Sequence, residues 1–230
     1  MKKSQKSLLT VIGSIGAIII LVIAYTRVAS PTIQPGGPKI DIQENLTGFT
    51  SIDASGSWKI GLIKGDSWSV ETNSLEGIKD HVSIYVENDT LVLKQKSGSL
   101  FNWSSSEVVA KVTMPELTKI KSAGSLNTII SGFTGDELTI QAAGSTKISS
   151  NESQYQTLII KTAGSSTLDF KEMLAIDANV ALAGSSKLII TMNGGELTGS
   201  IAGSGNVEYY GDVSNQSIKI AGSGNIEKMD

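Results

Sequence analysis

Ala123-Gly-Ser125, Ala143-Gly-Ser145, Ala163-Gly-Ser165, Ala183-Gly-Ser185, Ala202-Gly-Ser204 and Ala221-Gly-Ser223 punctuate the second half of this 230-residue chain. Their glycines, Gly124, Gly144, Gly164, Gly184, Gly203 and Gly222, are spaced by 20, 20, 20, 19 and 19 residues. A fixed period of this length marks a stacked repeat. An alternating apolar ladder leads into each glycine: Leu138, Ile140 and Ala142 before Gly144, then Leu158, Ile160 and Thr162 before Gly164. Alternation resumes afterwards at Ile148, at Leu168 with Phe170, at Leu188 with Ile190 and at Val207 with Tyr209. Period two is the strand signal, and a bend about every 20 residues makes a coil of strands. The expected fold class is all-β, a parallel β-helix (solenoid) with six repeats over residues 115–230.

The repeated residue types have a physical reason. Ala-Gly is small enough for a tight turn, and glycine takes a backbone conformation that a Cβ penalises. Serines at the next position would stack about 4.8 Å apart from rung to rung, close enough for hydroxyls to satisfy one another or the bend. Asn127, Asn206 and Asn225 fall in one column. Two readings stand for it: turn chemistry at a corner, or a polar strip that recognises glycans.

Working outward, residues 40–114 are β-rich without a visible repeat and read as a hairpin-rich N-terminal cap with early rungs. Ala54-Ser-Gly-Ser57 is a degenerate echo of the later blocks. Trp58, Ile60 and Leu62, then Trp68, Val70 and Thr72, flank the turn cluster Lys64–Ser67 and predict one hairpin. Val82–Glu87 and Leu91–Gln95 flank Asn88-Asp-Thr90 and predict a second. Ser74–Asp80 carries Leu75 and Ile78 at helical spacing, which predicts one helical turn. Within Ser97–Glu107, Leu100, Phe101, Asn102 and Trp103 form a candidate binding loop, because aromatics supply contact area at low entropic cost. The alternative is that Phe101 and Trp103 cover the end of the stack. Residues 40–230 are expected to form one body.

The N-terminus carries the localisation signal. Residues 1–7 hold three lysines and precede an unbroken apolar stretch over 8–25, from Leu8 to Tyr25. Eighteen residues make about 27 Å of helix, at the short end of a membrane span. Leading lysines keep the N-terminus cytoplasmic and send the rest outward. The segment is read as a transmembrane anchor, with a cleaved signal peptide as the competing reading. Residues 26–39 hold three of the four prolines and form a linker. The domain is thereby placed on the extracytoplasmic side, in the periplasm or at the cell surface.

Composition narrows the function classes. There is no cysteine, which excludes disulfides, thiol nucleophiles and cysteine-ligated metals. Residues 1–30 hold four of the 19 basic groups and no acid, leaving 15 basic against 22 acidic groups in the remainder. A net negative body disfavours nucleic acid, which needs a basic face. His81 is the only histidine, so a serine triad is not expected. The acids of the repeat region fall mostly at turns and in scattered columns, not at the shared register position of a groove site, and no calcium-loop spacing appears. Catalytic, metal and cofactor sites are all expected to be absent.

The blocks 202–207 and 221–226, Ala-Gly-Ser-Gly-Asn-Val and Ala-Gly-Ser-Gly-Asn-Ile, are the most complete copies. Their Ser204, Asn206, Ser223 and Asn225 stand with the six glycines as the structural corners. With the exported N-terminus and the hairpin region, these blocks resemble the family called putative auto-transporter adhesin, head GIN domain, over residues 40–228. The resemblance implies a right-handed, single-stranded parallel β-helix and a non-enzymatic, adhesin-like binding module. The partners expected are the membrane, through the N-terminal helix, and a glycan or protein ligand. The alternative is a structural or envelope-sensing module, acting through a membrane partner or end-to-end stacking into a homo-oligomer, because Ile218–Ile226 ends the ladder in an open edge.

Overall fold

The computed structural model describes residues 39–75, 81–95 and 108–230. The apolar segment 8–25 and the linker up to Pro38 lie outside the described residues. Among the described residues no helix is long and apolar enough to cross a membrane.

Every regular element described is a strand: β1 (Lys39–Glu44), β2 (Ser51–Lys64), β3 (Ser69–Leu75), β4 (Val82–Glu87), β5 (Thr90–Gln95), β6 (Val108–Met114), β7 (Lys119–Ser131), β8 (Thr134–Asn151), β9 (Ser153–Asn193), β10 (Glu196–Gly203), β11 (Asn206–Asp212), β12 (Asn215–Gly222) and β13 (Asn225–Lys228). They form one open sheet in the order β1-β3-β6-β2-β7-β8-β9-β10-β12, with β4-β5 joined to β2 and β11-β13 joined to β9. The sheet does not close into a barrel.

From β2 onward the pairing is parallel and keeps the glycines in register. Gly56 pairs with Gly124, Gly124 with Gly144, and Gly144 with Gly164. Gly184 pairs with Gly203, and Gly203 with Gly222. The echo at Ala54–Ser57 is therefore a full member of the column. All seven glycines have positive φ, between +99° and +129°. At Gly164 a Cβ would lie 2.5 Å from the Gly144 carbonyl oxygen. Consecutive peptide groups thus pack with no room for a side chain, in a conformation that L residues rarely adopt. The ladder continues through these corners, which is why β9 runs unbroken over 41 residues.

Inward positions alternate with outward ones along the arms of β7, β8 and β9. Ile140, Ile160 and Val180 are fully buried, and Ile148, Leu168 and Leu188 are buried on the other arm. Phe133, Tyr155 and Phe170 are the large aromatics buried in the core of these rungs. The step from 20 to 19 residues is absorbed at the Gly194-Gly195 turn. Thr191 Oγ1 donates to the Lys171 carbonyl 20 residues earlier, while the Glu196 amide donates to Asp177 Oδ1 only 19 residues earlier. The corner register is untouched.

Two local expectations are corrected. β2 and β3 are not a hairpin: β6 lies between them, parallel to β2 and antiparallel to β3. Val108, Ala110, Val112 and Met114 are all at or below 1% exposure, while Val109 on the other face is 39% exposed, so β6 lies centrally in the sheet with one face in the core. Sequence proximity gave way to burial. Ser74 and Leu75 continue β3 and do not begin a helical turn; residues 76–80 lie outside the described residues. The second hairpin, β4 with β5, forms around Asn88 and Asp89, both at positive φ, the geometry favoured by two-residue hairpin turns.

Tyr155 ties together two segments 38 residues apart. Its hydroxyl donates to the Leu117 carbonyl at 2.9 Å in the core, and burial pushes its phenol well above the usual tyrosine value. The unfolded chain releases this proton near pH 10 while the folded chain retains it, so stability falls as pH rises above about 10. Tyr155→Phe should lower stability at pH 8 by about 1–2 kcal/mol through the orphaned carbonyl, yet flatten the loss between pH 9.5 and 11. Urea titrations across that range check this, and an unchanged alkaline slope in the variant would refute it. The corner makes a second prediction. Gly164→Val should cost about 4 kcal/mol or more through clash and φ strain, whereas Asn225→Ala on the exposed last rung should stay within about 0.5 kcal/mol. Equal melting shifts would count against the corner packing.

Candidate functional site

The corner column divides the outward surface into two strips. On the approach side, the outward residues include Ala123, Ala143, Ala163, Ala183 and Ala202, all exposed. Gln141 and Lys161 stand beside them along an open groove of about 470 Å³. On the departure side, Ser125, Ser145 and Ser165 form one column and Asn127 and Lys147 begin the next, around a depression of about 280 Å³ beside Trp58. Gln141, Lys161, Asn127 and Lys147 carry no hydrogen bond or ion pair among the described residues. Their column neighbours differ. Lys121 is paired with Asp53 at 3.0 Å, and Lys187 with Glu208 at 2.7 Å. The hydrogen bond to Glu208 holds the Lys187 ammonium above the ordinary lysine value.

The inside of the corner was not anticipated. Ser122 Oγ lies 3.4 Å from Thr146 Oγ1, and Thr162 Oγ1 lies 2.9 Å from Ser186 Oγ, each pair bridging the two arms across one rung. Buried hydroxyls favour partners, and these two pairs find one another where the arms converge, whereas Ser166 Oγ in the same column is buried without a hydrogen-bond partner among the described residues. Serine or threonine two residues before and after a corner glycine was the available signal. The role of Ser204, Asn206, Ser223 and Asn225 is visible in part. The Ser204 amide donates to the Gly184 carbonyl, the Ser223 amide to the Gly203 carbonyl and the Asn225 amide to the Gly205 carbonyl, so their backbones close the corners. Their side chains point outward and are exposed.

Leu100, Phe101, Asn102 and Trp103 lie outside the described residues. The two ends of their segment are described, and both sit at the corner. β5 pairs with β2 up to Ser55 opposite Lys94, and β6 resumes the pairing at Trp58 opposite Val108. Among the described residues, neither β5 nor β6 pairs with Gly56 or Ser57. The gap in the ladder is filled by a side chain. Gln95 Oε1 accepts from the Ser57 amide at 2.9 Å, and its Nε2 donates to the Ser57 carbonyl at 2.6 Å. One side-chain amide reproduces the pair of bonds that a neighbouring peptide would make.

Acidic residues require one correction: Glu208 and Glu227 do share a register position, as direct partners of β11 and β13. Glu208 is committed to Lys187. Among the described residues no group of three or more His, Asp or Glu converges on a common point.

These features define a class: an all-β ladder protein with a glycine corner, and outward strips of small, amide and ammonium side chains. The chain belongs to the family described as putative auto-transporter adhesin, head GIN domain, whose model matches residues 48–171 and 159–230. Its fold is similar to that of a putative adhesin from Bacteroides fragilis, at 17% identity and a TM-score of 0.66, over 85% of this chain and 99% of the other. It is also similar to a putative lipid binding protein from Parabacteroides distasonis, at 20% identity and a TM-score of 0.52, over 85% and 98% of the two chains. No curated protein matches it in sequence.

Because the Gln95 amide must both donate and accept, Gln95→Glu should destabilise by about 1–3 kcal/mol at pH 7, with the carboxylate facing the Ser57 carbonyl. Part of the loss should return below about pH 4, where the carboxyl regains a proton to donate. Thermal melts at pH 7 and 3.5, each referenced to the wild type, measure both effects, and a pH-independent difference would sink the donor argument.

Proposed function

We propose that this chain is an exported, non-enzymatic adhesin-like module, and that its ladder is a right-handed parallel β-helix presenting the corner strips to a glycan or protein ligand. The constant offset of 19–20 residues between paired strands supports the coil. Membership of the adhesin-named family supports the extracytoplasmic location, with residues 8–25 as anchor or cleaved signal. The observation that carries the binding role is the set of uncommitted outward side chains Gln141, Lys161, Asn127 and Lys147 around two open depressions. Hydroxyl-rich ligands need amide and ammonium partners at repeated spacing, and alanine methyls between them suit the apolar faces of sugar rings. Leu100–Trp103, which lie in the sequence between Gln95 and Val108, would add the aromatic component in this reading.

A screen of the full chain against immobilised glycans and matrix proteins tests it. The best ligand should lose about tenfold in affinity with Asn127→Ala/Lys147→Ala or Gln141→Ala/Lys161→Ala, the loss of one to two hydrogen bonds to charged or amide groups. Phe101→Ala/Trp103→Ala should weaken binding without lowering the melting temperature. Binding unaffected by all three double variants would remove the corner strips from the function.

A further inference from the structure

The two ends of the ladder are built differently. At the β2 end, strand direction reverses: β3 is antiparallel to β6 and β4 is antiparallel to β5. At the other end the last rung, β12 and β13, keeps the parallel direction of the rungs before it. Its inward column positions are not covered by the described residues. Ile220 is 44% exposed, although Ile201 in the same column is buried at 1%. Ile218 and Ile226 are only partly buried against the core. A bare edge with a row of free peptide groups is a template for another strand.

We infer that this rung is a self-association surface, and that its occupant is the same rung of a second copy. Its symmetry carries the argument. β12 and β13 are two arms leaving one corner at Gly222, with inward residues at equal distances on both sides. A two-fold axis through that corner, along the bisector of the arms, lays β12 of one copy antiparallel on β13 of the other with both interiors on the same side. Register then follows from sequence numbers alone. Ile218 faces Ile226 of the second copy, and Ile220 faces Gly224, which leaves space for its side chain. Gln216 faces Lys228, Ser217 faces Glu227, and Lys219 faces Asn225. No like charges are opposed. Lys219 is also the diagonal neighbour of Glu227 of the second copy on the outward face, within reach of long side chains, and symmetry makes this contact twice. Such an isologous contact closes at two copies, whereas head-to-tail stacking would continue without limit.

The full chain in mild detergent should therefore show a concentration-dependent dimer by sedimentation velocity. Lys219→Glu and Glu227→Lys should each weaken it about tenfold by turning two attractive pairs repulsive. The double exchange Lys219→Glu/Glu227→Lys should restore it. Both side chains are exposed, so unchanged melting temperatures separate assembly from folding. The absence of native cysteine gives a register test. Ser217→Cys mixed with Glu227→Cys should form a disulfide under oxidation, because directly opposed antiparallel residues meet the required Cα separation. Ser217→Cys mixed with Asn225→Cys should not. A monomer at every concentration, a dimer indifferent to both charge changes, or equal cross-linking in the two mixtures would each overturn the inference.

Discussion

Everything in the described structure follows from one close contact, glycine backbone on glycine backbone, repeated up the corner. A Cβ on Gly124, Gly144 or Gly164 would lie 2.5 Å from the carbonyl oxygen of the glycine one rung earlier. Such packing is a register lock. Slipping one strand by a single residue would drive alanine or serine into that contact and turn every inward side chain outward. With the corner fixed, Ile140 must stack on Ile160 and Ile148 on Leu168. The loss of one residue per turn is accordingly taken up far from the corner, at Gly194-Gly195.

The parts legible in the sequence are those that depend on short-range regularity. Alternation declares inward and outward positions, and the glycine period declares the register, so the pairing of the β7, β8 and β9 segments could be read directly. The parts that escaped depend on contacts with no fixed sequence separation. β6 inserts between β2 and β3, placing Val108, Ala110, Val112 and Met114 in the core, and nothing near Lys64–Ser67 signals that. Gln95 substitutes for a missing peptide group across 38 residues. The hydroxyl pairs inside the corner join residues 24 apart, one rung plus the width of the bend. Of the site, the corner residues could be read as architecture, while the uncommitted amides and ammoniums beside them emerge only once their neighbours are known. Lys121, Lys161 and Lys187 look alike in sequence, yet Asp53 and Glu208 neutralise the first and third and leave Lys161 available.

In the proposed reading, function and architecture fall on different columns. The column carrying the glycines has no room for a Cβ, and the inward columns must hold side chains that fit the packed interior. The outward column three residues past the glycine is under no such constraint, and it holds Asn127, Lys147, Thr167, Lys187, Asn206 and Asn225. Chemistry can be changed there without disturbing the ladder, because an exposed side chain on a fixed backbone shifts stability by only about 0.5 kcal/mol. A scaffold of this type tolerates surface diversification one residue per rung.

A ladder that grows by adding identical rungs contains no internal reason to stop. Termination has to be supplied, and in the inferred dimer the two ends would supply it by different physical means. Where β3 and β4 reverse direction, the next strand would meet an antiparallel edge, and the glycine corner could not be copied onto it. At β12 and β13 the template is intact, down to the positive φ of Gly222 at +129°. Parallel extension there requires another chain segment carrying the same corner. In the inferred dimer a second copy would offer its own last rung by rotation about the corner, where the arms exchange places and antiparallel pairing would satisfy both edges at once. The feature that fixes the register within one chain also makes its terminal rung symmetric, and that symmetry is what renders the edge complementary to itself.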